Sequence, residues 1–349
     1  MTRMMYPMAV RWESTSRCNL HCLHCYVEAG EKQDSLNELT TDEIFRTLDQ
    51  LRDLGIIIFE IEGGEPLLRR DVLKILDYAA DRIPMVTLET NGTLITKELA
   101  SKLQKTKVND VVISLDSHSS EFHDSFRGRI GAFDRTLNSI RFLRRACVPA
   151  SVRTVITKGN WNKVEDISVL ILKLGIKRWF ITSFFPGGRG LRNLHISLTP
   201  REAKQVVEKC LELQTQLGKD LSISLDETFI RFGENSPDSI KKMLSLTRFC
   251  PAGQMICEIT AKGNVIPCPY LREFVFGNIR TNSFKEIWDS RSFALLKGRD
   301  RIVFCRSCKY YRSSCIGGCR AAAYHKHGNI KGPDTLNCYI LFEKIERTA

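Results

Sequence analysis

Three cysteines fall within eight residues near the start of the chain, in the run Arg17-Cys18-Asn19-Leu20-His21-Cys22-Leu23-His24-Cys25-Tyr26. Thiolates separated by three and then two residues on one loop can occupy three corners of an iron-sulfur cube, which leaves the fourth iron without a protein ligand. An open metal position is a place for chemistry. Spacing alone leaves two other readings open: zinc held by Cys22 and Cys25 with His21 or His24, or three structural thiols.

The chain has 13 cysteines, and their distribution divides it. Residues 1–245 carry Cys18, Cys22, Cys25, Cys147 and Cys210; residues 246–340 carry Cys250, Cys257, Cys268, Cys305, Cys308, Cys315, Cys319 and Cys338. Eight thiolates can fill two complete four-thiolate sites, and a single Cys-x2-Cys pair argues against a zinc ribbon. Cys147 and Cys210 lie in helical patterns and read as small core hydrophobes. Disulfides are disfavoured, because the count is odd and Met1 to Val10 has no export signal. No apolar run is long enough to span a bilayer, so the expected compartment is the cytoplasm, away from membranes.

These cysteines need a scaffold. The 349 residues suffice for two cored domains, and 43% hydrophobic with 26% charged residues excludes a fibre or a disordered chain. Before residue 190, short apolar runs alternate with amphipathic stretches. Strands are expected at Ala9–Ser14, Ile56–Glu62, Met85–Asn91, Val111–Asp116, Ser151–Thr157 and Arg178–Phe184. Helices are expected at Thr41–Leu54, Asp71–Asp81, Thr96–Gln104, Ala132–Ala146 and Lys163–Leu174, with one more over about 198–217. Six βα units of this kind imply a parallel sheet or barrel. A linker turn is expected at Glu234–Asp238.

Polar residues and glycines recur at the strand ends: Glu62-Gly63-Gly64-Glu65-Pro66, Thr90-Asn91-Gly92-Thr93 and Ile113-Ser114-Leu115-Asp116. In a parallel barrel the carboxyl ends of the strands line the ligand site, and the cysteine loop lies at the same end.

Together these motifs resemble the radical S-adenosylmethionine (SAM) superfamily over about residues 9–190. The resemblance implies a partial (β/α)6 barrel with Cys18, Cys22 and Cys25 on a [4Fe-4S] cluster whose open iron chelates SAM. Backbone around Gly63, Gly64, Glu65 and Pro66 would face the methionine amino group. Asn91, Ser114 and Asp116 would serve the cofactor site, with Arg135 as a further candidate for the carboxylate. Reductive cleavage of SAM would yield a 5'-deoxyadenosyl radical that removes a substrate hydrogen. His24 departs from the family, which often has an aromatic residue there.

Gly263-Asn264-Val265-Ile266-Pro267-Cys268 and the cysteines after it resemble the SPASM extension, which carries two auxiliary [4Fe-4S] clusters. By position, Cys250, Cys257, Cys268 and Cys319 would hold the first and Cys305, Cys308, Cys315 and Cys338 the second. The chain has six residues between Cys308 and Cys315 where the family usually has five. His325 and His327, in a Lys-Gly-containing loop, are expected to face solvent. The implied organisation is a core over 1–190, a helical bridge over 191–245 and a small α+β SPASM domain over 246–349. Phe184-Phe185-Pro186-Gly187-Gly188-Arg189-Gly190 resembles a turn after the last barrel strand of several SPASM enzymes, with an ordinary Pro/Gly turn as the alternative.

Strand alternation puts Glu60 and Glu62 on one face, and Glu89 and Asn91 on one face. Acidic residues on central strands need partners or a cavity. Arg153 is the natural partner, and Glu89 and Arg153 are the candidate catalytic residues. Inward and outward orientations both remain open.

SPASM enzymes modify ribosomally made peptides or act on tetrapyrroles. Cys18 lies too close to residue 1 for a leader-binding domain before it, so a peptide substrate would need a separate recognition protein or direct docking. Peptide or peptide-cofactor modification is the leading expectation, and side-chain decarboxylation of a haem-pathway tetrapyrrole the second. The net charge of +12 and the ten Lys/Arg against one acid in residues 291–331, with Tyr310 and Tyr311, also keep a zinc or iron-sulfur nucleic-acid-binding protein in play. Three clusters with eleven thiolates lower +12 to about +7. That basic excess suits an anionic substrate and an acidic ferredoxin or flavodoxin as electron donor.

Overall fold

The computed structural model describes residues 6–30, 35–226, 250–290, 302, 305–307 and 317–334. The expected linker turn at 234–238 lies outside them, as do Cys308, Cys315, Cys338, Tyr310 and Tyr311.

Six parallel strands form in the expected order: β1 (Ala9–Glu13), β2 (Ile58–Glu62), β3 (Met85–Thr90), β4 (Asp110–Ser114), β5 (Ala150–Ile156) and β6 (Arg178–Ser183). Between them run α1 (Thr41–Asp53), α2 (Val72–Ala80), α3 (Lys97–Lys105), α4 (Ser120–Arg127), α5 (Ala132–Arg145) and α6 (Val164–Lys173). The expected partial (β/α)6 barrel is therefore present. Its outer face packs on the helices: Val10, Trp12, Phe59, Ile61, Val86 and Leu88 are buried in one continuous core. Each such large side chain contributes about 2–3 kcal/mol by leaving water. Helix starts follow local chemistry, as where Thr40 and Glu43 close a capping box on α1.

The wall extends beyond both ends of that unit. α7 (Pro200–Leu217), expected from the sequence, leads into β7 (Ser222–Leu225), which pairs parallel with β6. At the other edge, β8 (Ile256–Ile259) pairs parallel with β1 and continues antiparallel into β9 (Asn264–Ile266) and β10 (Gly277–Asn278). The result is one ten-stranded sheet, β10-β9-β8-β1-β2-β3-β4-β5-β6-β7. Two short helices follow, α8 (Phe284–Asp289) and α9 (Arg320–His327). Arg280 ties the β10 side to α1 through Glu43, at 2.7 Å. Among the described residues no helix is long and apolar enough to cross a membrane.

α4 and β7–β10 are additions to the sequence reading. α4 buries only His123, Phe126 and Arg127, too few apolar positions to announce a helix, and β7–β10 span two to four residues each. Cys147 corrects an expectation. It is exposed, at φ 56°, in the left-handed position after α5, where Val148 N donates to Leu143 O at 2.9 Å. Cys210 is buried in the core as expected.

Candidate functional site

The carboxyl ends of β1–β6 open into a cavity of about 310 Å³. Cys18, Cys22, Cys25, Gly63, Gly64, Asn91, Ser114, Glu89 and Arg153 all line it, so the motifs singled out from the sequence converge on one space.

The cysteine loop is clamped from three sides. His21 N and Leu23 N donate to Arg127 O and Phe126 O at the end of α4, at 3.1 and 3.0 Å. Gly128 ends that helix at φ 69°, and a Cβ there would stand 2.5 Å from His21 O, so the close approach requires glycine. From the loop after β6, the buried Arg189 guanidinium donates to Cys22 O at 2.8 Å and Ala29 O at 2.7 Å, while its amide donates to Cys25 O. The 184–190 run is therefore a clamp on the cysteine loop rather than an ordinary turn. From below, Gly64 N and Glu65 N donate to Thr15 O and Arg17 O. A Cβ on Gly64 would strike Arg17 O, which explains the second glycine.

Glu65 and Pro66 do not line the cavity. Both Glu65 oxygens are taken: Oε1 accepts from Thr90 Oγ1 at 2.7 Å and Leu67 N, and Oε2 accepts from Asn91 N at 2.9 Å. This carboxylate bolts the end of β2 to the end of β3 and leaves the Gly63-Gly64 backbone to face a ligand. Asn91 Nδ2 donates to Asn19 Oδ1 at 2.9 Å and lies 3.9 Å from Cys18 Sγ.

Asp116 and Arg135 depart from expectation. Asp116 is fully buried behind the wall, where Oδ2 accepts from Arg127 Nε at 2.6 Å and Oδ1 from Val155 N at 2.9 Å. It positions Arg127, whose Nη1 lies 3.9 Å from Cys22 Sγ. Arg135 is exposed on α5 and does not line the cavity. Arg127 is a cavity-lining cation beside Cys22 that the sequence motifs did not single out; its place in a segment ending at Gly128 was the available signal. His24 stacks on Phe126 with centroids 4.4 Å apart, so an aromatic ring still occupies that position. Burial, then Arg127, pushes His24 down to about 3 and keeps it neutral.

The donor set suits a metal cluster. Burial raises Cys18 to about 12 and Cys22 to about 11, and neighbouring cysteines add to both shifts. Packed, buried thiols of this kind ionise readily only against a positive metal core.

Three C-terminal cysteines, Cys250, Cys268 and Cys319, line the far side of the same cavity. Burial, then Cys250 and Cys319, raises the Cys268 thiol. Cys257, expected with them in one four-cysteine set, does not line the cavity. On β8 it pairs with Val10 and packs into the core, while its neighbour Ile256 lines the cavity. Cys305 is half-buried; its three expected partners lie outside the described residues. His325 and His327 sit on the last turn of α9 rather than in a loop. His325 Nε2 is 2.7 Å from Tyr270 O, and His327 is exposed.

Away from the cysteines, the strand side chains settle the open question of orientation. Glu60, Glu62, Glu89, Arg11 and Arg153 all point inward. Arg153 grips Glu89 with two bonds, of 2.6 and 3.0 Å. Arg11 holds Glu60 at 2.5 Å, and Arg272 holds Glu13 at 2.6 Å and Glu258 at 3.3 Å. Burial works to raise Glu60, but Arg11 and Arg153 overcome it and keep the carboxyl below its ordinary value.

Comparison with known proteins decides the family. Residues 12–171 match the radical SAM superfamily, and residues 250–309 match an iron-sulfur cluster-binding domain, SPASM. The AdoMet-dependent heme synthase of Methanosarcina barkeri is 34% identical, covering 93% of this chain and 94% of that protein. This chain is a member of the radical SAM superfamily. Another radical SAM relative, the mycofactocin maturase of Mycolicibacterium smegmatis, is 31% identical over 94% of this chain and 82% of its own length. Among solved structures, Streptococcus suis SuiB bound to S-adenosylmethionine superposes with a TM-score of 0.80 at 19% identity, over 95% of this chain and 77% of that one. The anSMEcpe structure with bound AdoMet gives 0.74 at 20% identity, over 97% of this chain and 95% of that one. The radical SAM fold with a SPASM domain is thus shown, and with it an enzyme that uses SAM and [4Fe-4S] clusters. A nucleic-acid-binding zinc protein is set aside.

Proposed function

We propose that this radical SAM enzyme removes a hydrogen atom from a residue of a ribosomally made peptide or peptide-derived cofactor. Cys18, Cys22 and Cys25 hold the SAM cluster in this reading. The backbone of Gly63 and Gly64 receives the SAM amino group, with Asn91, Ser114 and Arg127 around it. Cys250, Cys268 and Cys319 serve the first auxiliary cluster, and Cys305, Cys308, Cys315 and Cys338 the second. When bound, the cluster and SAM supply a 5'-deoxyadenosyl radical. The chain's own residues exclude water from the strand ends and fix the cysteine loop through Arg189 and α4. They hold the substrate against the Arg153–Glu89 and Arg11–Glu60 pairs.

One observation carries the substrate class. Among the described residues, each arginine over the inner strand surface is already taken by a carboxylate: Arg11 by Glu60, Arg153 by Glu89 and Arg272 by Glu13. A polycarboxylate such as a porphyrin needs cations to receive it, and these are spent. A neutral or donor-bearing peptide segment meets no such obstacle. Tetrapyrrole side-chain decarboxylation is the second reading, favoured by the near full-length similarity to heme synthases. A reduced ferredoxin or flavodoxin is the proposed electron donor, a separate recognition protein is the proposed peptide carrier, and the cytoplasm is the proposed compartment.

The test pairs the anaerobic holoenzyme, SAM and reductant with peptides encoded by short reading frames beside the gene, or with iron-coproporphyrin III. A mass change in a peptide, matched by 5'-deoxyadenosine, is expected. Loss of carbon dioxide from the porphyrin instead would reverse the order of the two readings.

A further inference from the structure

The inner strand surface holds more acid than base. Glu13, Glu60, Glu62, Glu89 and Glu258 stand there with Arg11, Arg153 and Arg272. Three carboxylates have a close guanidinium, and Arg272 reaches Glu258 only at 3.3 Å. Among the described residues Glu62 has none, and its buried Oε1 has no hydrogen-bond partner. It lines the cavity at the end of β2, one residue before Gly63. A buried acceptor without a donor is costly, so one aimed into a ligand space marks where a ligand donor belongs.

We infer that Glu62 is a specificity-determining residue that accepts a hydrogen bond from an N–H donor, an ammonium or an amide, on the substrate side chain. This rests on the proposal that the cavity receives a peptide. Other groups around Glu62 point the same way. Burial pushes Glu62 up to about 7, Glu60 and Glu89 reinforce that, and Arg11 and Arg153 oppose it. Burial, then Glu62, also raises the Glu258 carboxyl. The tyrosines Tyr26 and Tyr270 line the same cavity and bring no cation to Glu62. A substrate cation or amide relieves this crowding of acids, and a substrate carboxylate worsens it.

The probes are four N-acetylated, C-amidated pentapeptides, alanine throughout except for Lys, Gln, Glu or Leu at the centre. Their affinity for the anaerobic holoenzyme with SAM is measured alongside the affinity for SAM itself. Lys and Gln peptides are expected to bind at least about tenfold tighter than Glu and Leu peptides. In E62Q the Lys-over-Glu preference collapses, and in E62D it is partly kept. Iron content and SAM affinity establish that each variant is folded. A preference that survives E62Q, equal affinity for all four peptides, or weakened SAM binding in E62Q overturns the inference. If no peptide binds the wild type, the peptide reading fails and the inference goes with it; binding with unchanged preference removes the inference alone.

Discussion

Arg127 Nε donates to Asp116 Oδ2 at 2.6 Å behind the barrel wall, while the same guanidinium reaches within 3.9 Å of Cys22 Sγ at the front. Asp116 therefore acts on the cluster loop through Arg127 and does not itself face the ligand. Burial works to raise its carboxyl, but Arg127, with His123, holds it below the ordinary carboxylate range. D116N is expected to weaken SAM affinity about tenfold and to speed loss of cluster iron in air, with R127M doing the same. Equilibrium SAM binding and iron release rates measure both. A D116N protein with both values unchanged would remove the positioning role.

Cys257 and Cys268 differ in orientation although both are buried. The reconstituted C268A protein is expected to lose about four iron atoms of about twelve, and C257A to keep them all. Anaerobic iron analysis with absorbance near 400 nm reads the difference. Iron loss in C257A would return that residue to the ligand set.

Arg153 and Glu89 form the best-geometry ion pair facing the cavity. R153M leaves Glu89 without its cation and is expected to cost about 2 kcal/mol, a figure moderated by partial exposure. The double variant R153M/E89L is expected to recover most of that loss. Urea unfolding of the four proteins of the cycle supplies the coupling.

His123 gives the pH dependence. Burial pushes it down to about 4, with Arg127 assisting and Asp116 opposing, so it is neutral in the folded protein at pH 5. The unfolded chain, with an ordinary imidazole near 6.5, binds the extra proton there, so this contribution to stability falls as pH drops from about 6.5 to 4. Between pH 7 and pH 5 the wild type is expected to lose about 2 kcal/mol more than H123Q. Urea midpoints at the two pH values test this, and equal losses would contradict it.

Much of this was legible in the sequence because it was written in strong local signals. Alternating periodicity announced β1–β6, and glycine pairs and the x3/x2 cysteine spacing announced the ligand end. The remainder depended on facts that sequence does not carry. Asp116 sits at a strand end like a ligand residue, but only the arrival of Arg127 from α4 turns it inward to a structural partner. The spacing of Cys250, Cys257 and Cys268 suggested one ligand set, whereas pairing β8 with β1 turns Cys257 into the core, away from the cavity that Cys250 and Cys268 line. Cys147 followed a helical pattern to the residue at which the helix stops. Parity left the Glu60 and Glu89 faces open until the β1–β2 register set Arg11 beside Glu60 and the Arg153 side chain of β5 reached Glu89 on β3.

Radical cleavage of SAM at the Cys18–Cys25 loop is tested most directly by one measurement: 5'-deoxyadenosine formed from SAM by the anaerobically purified, dithionite-reduced protein and by its C22A variant. The wild type is predicted to be brown, to hold about 11 to 12 iron atoms and to release 5'-deoxyadenosine, and C22A to release none. A colourless wild type, or 5'-deoxyadenosine formed equally by C22A, would contradict it.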